Sequence, residues 1–113
     1  MINSKRKGAD GERQLSKKLR EYGFSNAHRS QQYSGKGESA ADVIALPGIH
    51  IECKRVERLN ISDAMAQAKS DAKNGDMPTV FHRKNNEDWL VTMPLELWIE
   101  LYREYYSGVK VSA

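Results

Sequence analysis

The segment from Ile49 to Lys54 alternates apolar and polar side chains and carries a carboxylate and an amine two residues apart. In a β-strand, this spacing places Glu52 and Lys54 on one face, while Ile51 and Cys53 point to the other. A carboxylate can hold a hard divalent cation, and a lysine can polarise an attacking water and offset charge that grows on phosphorus. The pair therefore suits metal-assisted hydrolysis, although an ordinary surface charge pair has the same spacing.

Asp42 begins the preceding predicted strand, and the turn between the two strands decides whether it joins Glu52. A strict two-residue turn at Pro47-Gly48 places Asp42 opposite Cys53, on the wrong face. A three-residue connection instead pairs Asp42 with Lys54 and brings all three polar groups to one face. A shared site therefore predicts a wider turn or a bulge, whereas a merely polar strand start makes no such demand.

Glu12 lies in the first predicted helix, in line with Leu15, Leu19 and Tyr22 at helical spacing. An acid on a face that packs against a sheet is costly unless it is paired or bound to a cation. A glutamate in a first helical turn is also favoured by the helix dipole, so Glu12 alone leaves both interpretations open. The combined hypothesis is a single cation site at which Glu12 meets the carboxylates and amine of the hairpin.

Three helices and four or five strands are predicted to position these residues. The predicted helices span 10–22, ended by Gly23, then 62–73 and 94–106. The predicted strands lie within 24–29 and over 42–46, 49–54, 79–83 and 89–93, and 30–39 is predicted to be a loop. This order predicts a mixed α/β (α+β) fold with a central sheet.

Composition allows one domain over 1–113, because 39% hydrophobic residues suffice for a single core. No stretch approaches the roughly 20 apolar residues of a membrane helix, and the N-terminus lacks an apolar signal core. Residues 1–60 hold twelve Lys and Arg against seven Asp and Glu, whereas residues 61–113 hold six against eight. A basic first half suits a polyphosphate partner, although a solvated basic face is the plainer alternative.

These residues resemble the PD-(D/E)XK nuclease superfamily and, more narrowly, the archaeal-type Holliday-junction resolvases and their phage relatives. The resemblance covers about residues 8–75 and is carried by Gly11-Glu12-Arg13-x-Leu15, Tyr22-Gly23-Phe24, Arg29 with Ser34-Gly35, Ala41-Asp42-Val43-Ile44-Ala45 and Ile51-Glu52-Cys53-Lys54. Ala41 stands where the family usually has a proline. This departure weakens the assignment to one subfamily, and phage-type stand-alone nucleases are a close rival placement.

The resemblance implies a restriction-endonuclease-like core in which Glu12, Asp42 and Glu52 coordinate Mg²⁺ or Mn²⁺ and Lys54 is the catalytic lysine. The backbone carbonyl of Cys53 could complete an octahedral shell, while its thiol is expected in the core. His50 shares the face of Glu52 and is interpreted as a bystander. The residues predicted to bind DNA are Arg13, Arg29, Ser34, Lys36, Arg55 and Gln67, with solvated surface positions as the alternative for Arg55 and Gln67.

The predicted function is a Mg²⁺-dependent, structure-selective DNA endonuclease that acts as a homodimer on branched or four-way junction DNA and leaves 5′-phosphates. The expected location is the cytoplasm, in the nucleoid or a phage-infected cell, with a role in recombination and repair. Alternatives are a flap, nicking or restriction-like nuclease, a non-catalytic DNA-binding module, or a structural interaction protein. The spacing of Trp98, Leu101, Tyr102 and Tyr105 predicts core packing, with a homodimer surface as the alternative.

Overall fold

The computed structural model describes residues 4–30 and 41–112, with side chains over 8–30 and 41–109. The described chain forms three helices and five strands. In chain order these are α1 (Ser4–Glu21), β1 (His28–Arg29), β2 (Val43–Ile44), β3 (Ile49–Arg55), α2 (Ile61–Asp71), β4 (Met77–Arg83), β5 (Leu90–Thr92) and α3 (Leu95–Ser112). No helix among these residues is long and apolar enough to cross a membrane.

The five strands form one mixed sheet in the order β1-β2-β3-β4-β5. Neighbouring strands are antiparallel except β3 and β4, which run parallel and are joined through α2. A parallel pair requires such a crossover, because the chain must return to the same end of the sheet. The predicted α+β fold with a central mixed sheet of four to five strands is therefore confirmed, and it is consistent with a restriction-endonuclease-like core.

The two faces of the sheet are covered by different helices. On one face, α1 packs Leu15 and Leu19 against Val43, Ile51 and other buried side chains of the sheet. On the opposite face, α2 packs Ala64 and Ala68 against Val80. Since β3 pairs Glu52 with Val80 in register, Glu52 lies on the α2 face. Because side chains alternate along β3, its apolar side chains face the core under α1 and its polar side chains face α2.

Three sequence predictions need correction at the helices. Helix α1 begins at Ser4 rather than at residue 10, and α3 extends to Ser112 rather than ending at 106. Tyr22 is 69% exposed and does not continue the buried stripe of Leu15 and Leu19. The helix ends at Glu21, and Gly23 follows with a φ of 103°, a left-handed conformation that redirects the chain. Gly23 was correctly predicted as the stop.

A close approach between α1 and β3 explains a glycine in the first helix. A Cβ atom added at Gly11 would lie 2.9 Å from Cβ of Arg55, whereas one added at Gly8 would meet nothing within 4 Å. Both substitutions to alanine gain the same helix propensity, about 1 kcal/mol. Only Gly11→Ala forces the helix and strand apart, and overpacking of this kind costs about 1–3 kcal/mol.

We therefore expect Gly11→Ala to have a free energy of unfolding about 1–3 kcal/mol below that of Gly8→Ala. Urea denaturation followed by tryptophan fluorescence measures the difference. Equal stability of the two variants would show that α1 does not approach β3 as closely as described. We expect Gly11→Ala to shift the predicted site residue Glu12 as well, because Gly11 directly precedes it.

Candidate active site

The connection between β2 and β3 determines which polar groups meet. Val43 pairs with Ile51, and the turn is closed by the Ile49 N–H, which donates to the Leu46 carbonyl at 3.0 Å. Ile44 and Ala45 lie between Val43 and the turn, whereas only His50 lies between the turn and Ile51. The β2 side therefore carries one extra residue, a β-bulge. The turn at Pro47-Gly48 is the tight two-residue one, so the predicted three-residue connection is wrong and the predicted bulge is confirmed. The predicted pairing of Asp42 with Lys54 is wrong, because this register brings Asp42 beside Glu52.

Asp42 is held against β3 by its backbone and by its side chain. Its N–H donates to the Ile51 carbonyl at 2.8 Å, and its Oδ2 accepts a hydrogen bond from the Cys53 N–H at 2.8 Å. Burial raises the pKa of Asp42 to about 7, and the charge of the neighbouring Glu52 acts in the same direction. Asp42 and Glu52 therefore lie close together in a poorly solvated place, as the sequence predicted.

Glu52 is only 1% exposed and has two differently placed carboxylate oxygens. Its Oε1 lies 2.9 Å from Nε2 of His50. Its Oε2 is buried and has no hydrogen-bond partner within the described residues. Burial raises the pKa of Glu52 as well. A buried carboxylate oxygen beside a second carboxylate is costly unless a proton or a cation lies between them.

His50 is not the bystander that the sequence suggested. It is 2% exposed, and burial lowers its pKa, which favours the neutral imidazole. Its Nε2–H therefore donates to Oε1 of Glu52 and orients that carboxylate. Residues 50 and 52 share a strand face, so the alternation of β3 was the signal that could have found this contact.

Lys54 completes the polar face of β3. Its Nζ donates to Oε1 of Gln67, on α2, at 3.4 Å. Gln67, one of the residues predicted to bind DNA, therefore lies beside the lysine. The charge of Lys54 lowers the pKa values of Asp42 and Glu52, which places the amine within electrostatic reach of both carboxylates.

Glu12 is near this group but has another partner. Its Oε1 accepts a hydrogen bond from Nε of Arg29 at 2.9 Å, and its side chain is 19% exposed. Burial raises the pKa of Glu12, the Asp42 charge raises it further, and Lys54 lowers it. Among residues 8–30 and 41–109, no three His, Cys, Asp or Glu side chains are placed to hold a metal together. The structure thus brings Asp42 and Glu52 together, whereas Glu12 is paired with Arg29 and within electrostatic reach of Asp42.

Comparison with known proteins identifies a family. A protein-family model described as "Phage putative PDDEXK endonuclease" matches residues 3–112. The chain belongs to this family. The match makes it a phage-type member of the PD-(D/E)XK nuclease superfamily, and it extends the resemblance through α3. Searches of curated proteins and of solved structures returned no match.

Nucleases of the PD-(D/E)XK superfamily generally use divalent metal ions, and the donor set of this family member fits such an ion. Asp42 and Glu52 lie side by side and offer the oxygen ligands that hard divalent cations prefer, and Oε2 of Glu52 has no hydrogen-bond partner among the described residues. The Cys53 thiol belongs to the α1 core, and burial raises its pKa, so the sulfur is not a ligand. The backbone carbonyl of Cys53 stays a predicted ligand.

The residues predicted to bind DNA in this phage-type nuclease occupy different environments. Arg13 is exposed and forms an ion pair with Asp10 at 3.0 Å. Arg55 is half-buried and donates from Nη2 to Oδ1 of Asn85 at 3.1 Å, so it is less available than an exposed arginine. Gln67 is exposed, and Arg29 is partly exposed. Ser34 and Lys36 lie outside the described residues. The DNA-binding roles of all six stay predictions.

Proposed function

We propose that this family member is a divalent-metal-dependent DNA endonuclease selective for branched DNA, such as a four-way junction. Asp42, Glu52 and Lys54 carry the cleavage, assisted by Glu12. The observation that supports this most strongly is the buried, unpartnered Oε2 of Glu52 next to a carboxyl group whose pKa is raised to about 7. Perturbed carboxylates clustered around an amine are typical of a functional site.

Each residue has a chemical role in this proposal. Asp42 and Glu52 hold Mg²⁺ or Mn²⁺, with Glu12 and the Cys53 carbonyl as further ligands. A bound divalent ion supplies Lewis-acid polarisation and lowers the pKa of water. The ammonium group of Lys54 orients the attacking water and offsets the negative charge that grows on the phosphate oxygens. Water attacks phosphorus in line, the 3′ oxygen leaves, and the product carries a 5′-phosphate.

Recognition of DNA is proposed to depend on backbone charge and shape. Residues 1–60 are rich in Lys and Arg, and they include four of the proposed phosphate-contacting positions: Arg13, Arg29, Lys36 and Arg55. Ser34 and Gln67 add uncharged hydrogen-bonding groups near the cleaved strand. Phosphate contacts position a protein on DNA without reading its sequence. Two matched cuts in a junction need two active sites, which is the reason for proposing a homodimer.

The test is cleavage of a labelled four-way junction, a flap and a plain duplex of matched sequence, with Mg²⁺, with Mn²⁺ and with chelator. We expect cleavage that requires the divalent ion and is fastest on the junction. No cleavage of any of the three substrates with either ion would overturn the nuclease proposal. Equal rates on junction and duplex would overturn only the preference for branched DNA.

His50 is proposed as a positioning residue for Glu52. Its hydrogen bond occupies Oε1 and leaves Oε2 without a partner among the described residues. Outer hydrogen bonds of this kind typically change metal affinity or activity by about 10–100-fold. We expect His50→Leu to weaken Mn²⁺ affinity and to slow cleavage within that range. His50→Gln, whose amide N–H can replace the imidazole donor, should stay within about threefold of the unsubstituted chain.

Calorimetric Mn²⁺ titration and single-turnover cleavage measure these effects, and circular dichroism verifies folding. A purely structural role of His50 predicts that the leucine variant is less stable but binds Mn²⁺ with unchanged affinity once folded. Equal losses of affinity in folded His50→Gln and His50→Leu would contradict the positioning role of the hydrogen bond.

A further inference from the structure

Helix α3 presents an apolar stripe that the rest of the described chain does not cover. In the 18-residue helix, seven large apolar side chains are at least 43% exposed: Leu95, Trp98, Leu101, Tyr102, Tyr105, Tyr106 and Val109. Within residues 4–30 and 41–112, no strand and no other helix packs along a substantial part of α3. The prediction that Trp98, Leu101, Tyr102 and Tyr105 form core packing is therefore wrong.

The aromatic residues of this stripe are organised by contacts with one another. The rings of Trp98 and Tyr102 stack with centroids 5.5 Å apart, and those of Tyr102 and Tyr106 stack at 6.2 Å. Their planes differ by 11° and 12°, so the three rings form a regular ridge along the helix. Rigid Trp and Tyr side chains lose little conformational entropy on binding and are enriched at the energetic centres of protein interfaces.

The exposed area matches the requirement of a stable dimer. A large apolar side chain offers roughly 150–250 Å² when fully exposed. At the fractional exposures observed, the stripe offers on the order of 700 Å² in one chain. A standard protein interface takes about 800 Å² from each partner, and monomers rarely expose contiguous apolar patches of this size.

The charge of α3 argues against nucleic acid as the occupant. Stacked aromatic rings could in principle receive unpaired bases. However, α3 contains three glutamates against one arginine and one lysine, so the helix has a net negative charge. Binding of nucleic acid depends on neutralising phosphates with Lys and Arg, which this surface does not supply. A protein surface is the better match.

We infer that α3 pairs with α3 of a second copy of this chain around a two-fold axis, so that the apolar stripe of each copy covers that of the other. Leu95, Trp98, Tyr102, Tyr105 and Val109 recur at alternating spacings of three and four residues, which places them at the centre of a helix–helix contact.

This pairing deepens the homodimer of the proposed function. A monomer that still cuts DNA would overturn this inference and the homodimer but not the nuclease activity.

Sedimentation equilibrium of the full chain tests the pairing. We expect the unsubstituted chain at twice 12.8 kDa. Tyr102→Glu should weaken association at least about 100-fold, because it places a charge in both halves of the apolar contact. Tyr22→Glu is the matched control, since Tyr22 is an exposed tyrosine directly after α1 and away from α3, and it should stay dimeric. A monomeric unsubstituted chain, or a dimer weakened equally by both substitutions, would overturn the inference.

Circular dichroism verifies that Tyr102→Glu and Tyr22→Glu keep their helices.

Discussion

Glu52→Gln is expected to lower single-turnover cleavage of junction DNA by about 10³-fold or more, while junction binding in chelator stays within about twofold. Glutamine keeps the size of the side chain and an oxygen that accepts the His50 hydrogen bond. It removes the negative charge that would hold the divalent ion. Binding is preserved because phosphate contacts come from cationic groups elsewhere, and the loss of a negative charge does not weaken them.

Asp42→Asn should behave in the same way, since asparagine can still accept the hydrogen bond from the Cys53 N–H. The matched control is Glu21→Gln, which makes the same chemical change at an exposed position at the end of α1 and should leave cleavage unaffected. A gel-based cleavage assay and a mobility-shift assay in chelator provide the two measurements. Cleavage at more than a tenth of the normal rate in either active-site variant would discard the assignment of that carboxylate.

The second large effect concerns stability without and with a divalent ion. A raised pKa means that the folded protein binds a proton at Asp42 more tightly than the unfolded chain does. The protonated carboxyl group therefore stabilises the folded state at acidic pH, and this stabilisation is lost as the pH rises through about 7. At pH 8 the metal-free protein therefore carries the charge of Asp42 in a buried place beside the carboxyl group of Glu52. Asp42→Asn removes this charge and offers N–H donors to Glu52. We expect it to raise the free energy of unfolding by about 1–3 kcal/mol at pH 8 and by less at pH 5.

Divalent ions should reverse the order of stability. An ion that binds only the folded protein stabilises it by about 2.7 kcal/mol at one hundred times its dissociation constant. Saturating Mn²⁺ should therefore raise the melting temperature of the unsubstituted chain by several degrees and that of Asp42→Asn by less than about one degree. Thermal melts at pH 5 and pH 8, with Mn²⁺ and with chelator, measure both effects. If Asp42→Asn lowers the melting temperature in chelator, and Mn²⁺ still raises the melting temperature of this variant, Asp42 is not a metal ligand whose charge destabilises the metal-free protein.

The sequence by itself determined the elements and the polar residues that they carry. Alternation with a period of two residues made Ile49 to Lys54 a strand, and this periodicity holds in β3 because its two faces meet different surroundings. Gly23 and the proline before α3 marked helix boundaries through local backbone preferences. The motif around Asp42 and Glu52 also led to the correct superfamily. All of these signals are local in the chain.

The tertiary structure decided which groups meet. The register between β2 and β3 depends on one extra residue near the turn, and a shift of one residue would reverse the face of every side chain in a strand. The ion pair between Glu12 and Arg29 joins residues 17 positions apart, and no periodicity predicts it. The stripe of α3 has the same spacing whether it covers a core or faces outward. Its exposure follows only from where the sheet and the other helices end, and long-range packing of this kind is not encoded in any single segment.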